Sequence, residues 1–165
     1  MTAAAPAFLT RFASPIGRIE ITSDGESITS LAIEREGVLP NDPITENPAP
    51  VLELAKTQVG EYLDGRRAEF DLPLSLGGTT FQKAVWAELA RVPFGATTSY
   101  GALGIATGRP TAGRAVGGAI GANPVPLIIA CHRVLARDQK ITGYSAGNGV
   151  STKVWLLDHE GIAHK

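Results

Sequence analysis

Tyr100-Gly101-Ala102-Leu103-Gly104-Ile105-Ala106-Thr107-Gly108-Arg109-Pro110-Thr111-Ala112-Gly113-Arg114-Ala115-Val116-Gly117-Gly118-Ala119-Ile120-Gly121 holds two short apolar segments around a single break. The first segment reads as a helix over Tyr100–Ala106. Gly108-Arg109-Pro110 interrupts it, because glycine leaves helical geometry freely and the residue before a proline is pushed out of the helical region. A second helix is expected from Thr111 or Ala112 to about Gly121. Two short helices joined by a tight glycine-containing turn outline a helix-turn-helix. The second helix is unusual: residues 112–119 set three glycines and three alanines around one long cation, Arg114. Each interior glycine costs about 1 kcal/mol against alanine, so propensity alone would not select this sequence. Either the helix packs tightly against a neighbour or a ligand backbone comes close to it. A flat surface bearing one arginine suits entry into a nucleic-acid groove.

Working outward, Thr79 or Thr80 is placed to cap a preceding helix whose Phe81, Val85 and Leu89 share a face. Pro93-Phe94-Gly95 stops that helix. On the other side, Pro126-Leu127-Ile128-Ile129-Ala130-Cys131-His132-Arg133-Val134 carries the only cysteine of the chain to the end of an apolar run. Two readings fit it. Cysteine is among the most buried residue types and packs as a small hydrophobe. The same placement also presents one nucleophilic sulfur, held in a buried strand or turn beside cations that favour its thiolate. Val150, Val154 and Leu157 then mark the apolar stripe of a last helix, with Glu160 flanking the stripe and His159 pointing away.

The first half differs in kind. Phe8–Phe12, 18–23 and Ile28–Ile33 read as short strands. The turn signals Ser14-Pro15-Ile16-Gly17 and Asp24-Gly25 between them favour an antiparallel meander. Residues 36–50, with four prolines, read as a loop. Val51, Ala55, Val59 and Tyr62 recur at helical spacing after Pro50, and Asp64-Gly65 closes that helix. Residues 72–78 look like a connector. The expected fold is α/β (α+β): a strand-rich supporting domain over 1–74, then a mainly helical domain over 75–165 that contains the helix-turn-helix.

A chain of 165 residues that is 44% hydrophobic can bury a proper core, and no apolar run is long enough to span a bilayer, so no membrane partner is expected. Met1-Thr2-Ala3-Ala4-Ala5-Pro6 lacks the basic and apolar blocks of an export signal. One cysteine excludes an internal disulfide and suits a reducing cytoplasm. One cysteine and three histidines without zinc-type spacing argue against a metal site. The net charge of −1 hides an asymmetry. Residues 1–74 carry six basic against twelve acidic side chains, whereas residues 75–165 carry nine against four. Only the second part is suited to face a polyanion.

Phe81-Gln82-Lys83-Ala84-Val85-Trp86, Pro93-Phe94-Gly95, Ser99-Tyr100, Arg114-Ala115-Val116-Gly117, Asn123-Pro124, Cys131-His132-Arg133-Val134, Gly143-Tyr144-Ser145 and Trp155-Leu156-Leu157 precede Glu160 in this order. The pattern resembles the O6-alkylguanine-DNA alkyltransferases over about residues 79–161, and the first half is similar in position and strand-rich character. The resemblance implies a ribonuclease H-like N-terminal domain and a repair reaction. In it, an alkyl group, typically methyl, passes from guanine O6 in double-stranded DNA to Cys131, irreversibly and once per molecule, without a cofactor. It implies that His132 takes the thiol proton through a water and that Glu160 orients His132, the logic of a base-activated nucleophile with a third group. Asn123 would brace the turn beneath the site. The target base must leave the stack. By resemblance, Tyr100 crowds a phosphate and reaches guanine N3, and Arg114 fills the gap as an intercalating finger. Ala115, Gly117 and Gly118 would lie against DNA. The Ser145 N–H would meet O6, the carbonyls of Cys131 and Val134 would accept from the exocyclic amine, and Tyr144 would line the base pocket. Arg133 is expected in a structural ion pair.

Two positions depart from the family pattern. Ala130 replaces the usual proline before the cysteine. Ala146 replaces a glycine, placing a Cβ beside the expected pocket. Three other readings compete: a lesion-binding module without transfer, a helix-turn-helix regulator, and a cysteine hydrolase. Retention of Cys131, the missing cysteine-rich zinc domain and the lack of an identifiable oxyanion hole count against them in turn. A monomer is expected, with cooperative assembly on DNA and repair of O4-alkylthymine left open.

Overall fold

The computed structural model describes residues 6–165, so the expectation of no export signal, read from residues 1–6, lies outside the described residues for all but Pro6. The chain divides into two compact units, one ending at Gly77 and one spanning Gly78–Lys165. The architecture is mixed α/β, with an antiparallel sheet and helix first and a mainly helical unit second.

In the first unit β1 (Phe8–Phe12), β2 (Ile19–Ser23) and β3 (Ile28–Ile33) form an antiparallel meander in the order β1-β2-β3. All of β2 is buried. Strand alternation puts Ile19 and Ile21 on one face and Glu20 and Thr22 on the other. The helix α1 (Pro50–Leu63) packs on the sheet and buries Leu52, Ala55, Val59 and Tyr62. The carboxylate of Glu20 is 1% exposed and therefore needs partners. It accepts hydrogen bonds from the backbone N and Nδ2 of Asn41, at 3.1 and 2.9 Å. Its cross-strand neighbour Arg11 lies 3.7 Å away and donates to the carbonyls of Asn41 and Ile44. The proline-rich loop is thus fastened by a buried acid. Residues 72–78 are more than a connector, because Ile28 exchanges backbone hydrogen bonds with Pro73 and Ser75 and Leu74 forms a parallel bridge beside β3.

The second unit opens with α2 (Thr80–Leu89). Thr79 and Gln82 close a reciprocal capping box over its first turn. After β4 (Thr98–Ser99), Ser99 caps α3 (Tyr100–Ala106). Gly108, at φ +77°, ends α3 in a Schellman turn, with Gly108 N bonded to Ile105 O and Arg109 N to Gly104 O. The helix α4 (Gly113–Gly121) follows, completing the helix-turn-helix. It buries Val116 and Ala119, and the indole N–H of Trp86 donates to the Ala119 carbonyl at 2.7 Å. A 3₁₀ turn (Cys131–Arg133) leads into β5 (Val134–Leu135), which pairs in parallel with β4.

The last helix, α5 (Val150–His159), corrects the expected stripe. Its buried face is Thr152, Lys153, Leu156 and Leu157, continued by Glu160, while Val150 is 48% exposed. The face is rotated because Lys153 and Glu160, both polar, are the residues with buried partners to satisfy.

The glycines of the helix-turn-helix do two different jobs. A Cβ on Gly104 would sit 2.8 Å from the backbone oxygen of Arg109, whereas one on Gly117 or Gly118 would meet nothing within 4 Å. Gly104→Ala is expected to destabilise the chain despite the better helix former. Gly118→Ala should stabilise it by about 1 kcal/mol. Urea unfolding midpoints of the two variants separate these outcomes, and a stabilising Gly104→Ala would contradict the packing account.

Candidate active site

Cys131 stands at the first residue of the 3₁₀ turn, 6% exposed, and lines a pocket. Tyr100 from the start of α3 and Gly117, Ile120 and Gly121 from α4 line it too. The loop before α5 adds Gly143, Tyr144 and Ser145, and α5 adds Lys153. The thiol therefore sits in a turn, and the pocket around it is made partly by the glycine side of α4. Ala146 follows Ser145 and is not itself among the residues lining the pocket.

The turn leading to the thiol is over-determined. Asn123 donates through Nδ2 to the Ile129 carbonyl at 2.8 Å, and its Oδ1 accepts from the Val125 N–H at 3.0 Å. Between those anchors Leu127 is held at φ +75°, a region that non-glycine residues enter at a cost. Ala130 has φ −81°, at the edge of the range a proline would impose, so the backbone course stays close to one a proline could take.

The two residues that follow Cys131 enter a buried charge cluster. His132 is fully buried, and its Nε2 donates to Glu160 Oε2 at 2.5 Å. Arg133 donates from Nε to Oε1 at 2.8 Å and from Nη2 to Oε2 at 3.1 Å, and its Nη1 reaches the Val92 carbonyl at 2.7 Å. The backbone N–H of Gly95 completes the set at 2.9 Å. Burial raises the Glu160 carboxyl, but its hydrogen bonds to His132 and Arg133 outweigh this and hold it far below the ordinary range. Burial pushes His132 down, against the pull of Glu160. The pair is therefore a neutral imidazole on a carboxylate, with Arg133 as the counter-ion.

The sulfur has a different surrounding. Burial pushes the Cys131 thiol up, and hydrogen bonds from Asn123 and Tyr144 and the charge of Lys153 oppose that rise. Of the two side chains after Cys131 in sequence, Arg133 makes an ion pair with Glu160 and His132 also bonds that carboxylate, so Lys153 is the cation whose charge acts on sulfur. Its ammonium donates to the carbonyls of Val134 at 2.7 Å and Gly143 at 3.1 Å, and burial pushes its pKa down. Sequence reasoning missed Lys153 because long charged residues are seldom buried. Its spacing of three and four from Leu156 and Leu157 was the available signal. Thr142 was missed as well: its hydroxyl meets the Tyr100 phenol at 2.9 Å.

Of the residues named from sequence, Cys131, Tyr100, Tyr144, Ser145 and Gly117 meet at the pocket. His132, Glu160, Val134 and Asn123 form the buried or half-buried layer near it. Arg114, Ala115 and Gly118 are exposed along α4. Among the described residues no group of histidine, cysteine and acidic side chains is placed to hold a metal, and no helix is long and apolar enough to cross a membrane.

A single thiol, followed in sequence by a carboxylate-held histidine and opening beside the bare face of a helix-turn-helix, defines a cysteine-dependent site on a nucleic-acid-binding scaffold. Residues 80–162 match the family described as the 6-O-methylguanine DNA methyltransferase DNA-binding domain, and residues 8–76 match its ribonuclease-like domain. The chain belongs to this family. A methylated-DNA–protein-cysteine methyltransferase of Haemophilus influenzae is 39% identical over 95% of this chain and 88% of its own length. The constitutive enzyme of the same description from Bacillus subtilis is 38% identical over 96% and 98%. The crystal structure of Mycobacterium tuberculosis OGT in complex with DNA superposes with a TM-score of 0.84 at 38% identity, covering 94% of this chain and 93% of that one.

The neutral-imidazole arrangement has a pH signature. His132 has a folded pKa below its unfolded value of 6.5, so below about pH 6.5 the unfolded chain binds more protons and stability falls with acidification. Glu160 acts in the same sense: its contribution is full above the unfolded value of 4.5 and is lost as pH falls through its depressed folded value. Urea midpoints are expected to drop steadily from pH 7 to pH 5. A flat or rising midpoint would mean a charged imidazolium in the folded state.

Proposed function

We propose that Cys131 is the alkyl acceptor in direct-reversal repair of O6-alkylguanine in double-stranded DNA. The chain is a DNA-binding methyltransferase of DNA repair. The observation that carries the residue assignment is that its one cysteine lines the pocket beside α4, with a neutral, carboxylate-held histidine next to it in sequence.

With Nε2 engaged by Glu160, Nδ1 is the nitrogen of His132 that takes up the thiol proton through a water. Sulfur forms a bond to the alkyl carbon as the carbon–O6 bond breaks, and the electron pair leaves on guanine. The guanine anion regains one proton, so the exchange balances without a cofactor. The product is a thioether that no neighbouring group can cleave, and each molecule acts once.

Substrate contacts follow the pocket. The Cys131 and Val134 carbonyls each already accept one hydrogen bond, from Val134 N and Lys153, and each retains a second lone pair for the exocyclic amine. The Ser145 N–H meets O6, and Tyr144 lines the base site. Tyr100 exchanges its bond to Thr142 for guanine N3 as the base turns out of the helix. Arg114 takes the place of the base in the stack, and Ala115, Gly117 and Gly118 let DNA approach α4. Asn123 braces the turn beneath the thiol. Open space over Gly117 and Gly118 favours this ligand-facing reading of the small residues over helix packing.

Residues 75–165 are the DNA-binding and acceptor domain in this reading, and residues 1–74 support it, their acidic surface kept off the duplex. The chain acts as a monomer in the cytoplasm of a prokaryotic cell, where a reducing environment preserves its thiol.

Intact-protein mass spectrometry after mixing with a duplex that contains one O6-methylguanine tests the proposal. The expected result is one added methyl group, mapped to Cys131, saturating at one per molecule and absent in Cys131→Ser. Lesion-selective binding without a mass gain would instead identify a recognition module.

A further inference from the structure

The turn between α3 and α4 presents a second cation that the reaction does not use. Arg109 is exposed, and its guanidinium carbon lies 4.5 Å from the centroid of the half-buried Phe81 ring in the first turn of α2. Among the described residues no carboxylate pairs with it. An arginine with no acidic partner is usually mobile, and this one is restrained twice. Its backbone is fixed by the Schellman turn, in which Arg109 N bonds to Gly104 O at 2.7 Å and the Arg109 carbonyl sits where a Gly104 Cβ would collide with it. Its side chain is drawn to one position by the ring. A cation–π contact uses the charge of the guanidinium and consumes no N–H donor, so the planar fork keeps donors for two phosphate oxygens. Arg109 is also four residues before the first residue of α4, so the two arginines of the helix-turn-helix bracket the start of the helix that faces DNA.

We propose that Arg109, seated on Phe81, is a preorganised phosphate-binding residue that registers the helix-turn-helix on the duplex backbone. The assignment rests on the reading that this unit binds DNA. It differs in kind from the role given to Arg114: a phosphate contact carries no information about sequence or lesion, and it acts before any base leaves the stack. Preorganisation matters because an arginine side chain otherwise gives up rotamer freedom on binding. Phe81 reduces that loss in advance.

The test is fluorescence anisotropy with unmodified duplexes of two unrelated sequences, over a series of salt concentrations, so that no chemistry intervenes. Arg109→Ala is expected to weaken binding several-fold on both sequences and to make the slope of log affinity against log salt shallower by about 0.9, the signature of one lost phosphate contact. Phe81→Leu keeps the charge and the apolar bulk but removes the ring. It should weaken binding less and leave the slope unchanged. Arg109→Lys keeps the charge without the planar fork, so it retains the slope at reduced affinity, and it carries the test should Arg109→Ala unfold. Unchanged affinity and slope in Arg109→Ala, with wild-type binding intact, would overturn the proposal alone. Failure of the wild-type chain to bind either duplex would overturn the DNA-binding reading and this inference with it.

Discussion

A single buried carboxylate organises the active unit. Glu160 receives hydrogen bonds from His132, from two nitrogens of Arg133 and from the backbone of Gly95. A carboxylate withdrawn from water is tolerated only when its lone pairs are filled and its charge is balanced. Filling them draws three separate segments together: the end of α5, the 3₁₀ turn that carries Cys131, and the turn after α2. The position of the thiol is therefore a by-product of solvating one acid from within. Burial keeps His132 neutral, and Arg133 supplies the charge that balances the acid.

Much of this was legible in the chain. The three strands, the helix after Pro50 and the helix-turn-helix followed from turn residues and apolar spacing, because glycine, proline and β-branched residues constrain the backbone locally. The end of α3 was readable from Gly108-Arg109-Pro110, whereas its Ser99 cap emerged only in the structure. What escaped was set by partners distant in sequence. Lys153 looks like a surface residue until the carbonyls of Val134 and Gly143 are placed over it. Val150 and Val154 looked like a core stripe, since apolarity is visible in a sequence and a buried polar network is not. Arg133 and His132 were rightly seen beside the thiol in sequence, yet a side chain's direction in a 3₁₀ turn depends on where the acid lies.

The glycines of α3 and α4 show how one residue type serves opposed ends. Gly104 is small because the chain folds back against it, so its smallness is consumed inside the protein. Gly117 and Gly118 are small against open space, so theirs is kept for something outside. Trp86 makes the second case affordable: by holding the Ala119 carbonyl it anchors a helix whose own propensity is poor. The surface of α4 is thereby left bare without being left loose.

The raised pKa of Cys131 bears on the life of the molecule between lesions. Oxidants and stray electrophiles attack thiolates that are exposed and already ionised. A thiol kept protonated and shut away is chemically dull until a base arrives with its proton acceptor in line. For a catalyst that turns over, such reticence would only slow the work. For a reagent spent in one event, as proposed for Cys131, it sets shelf life: each copy must wait intact until its one use.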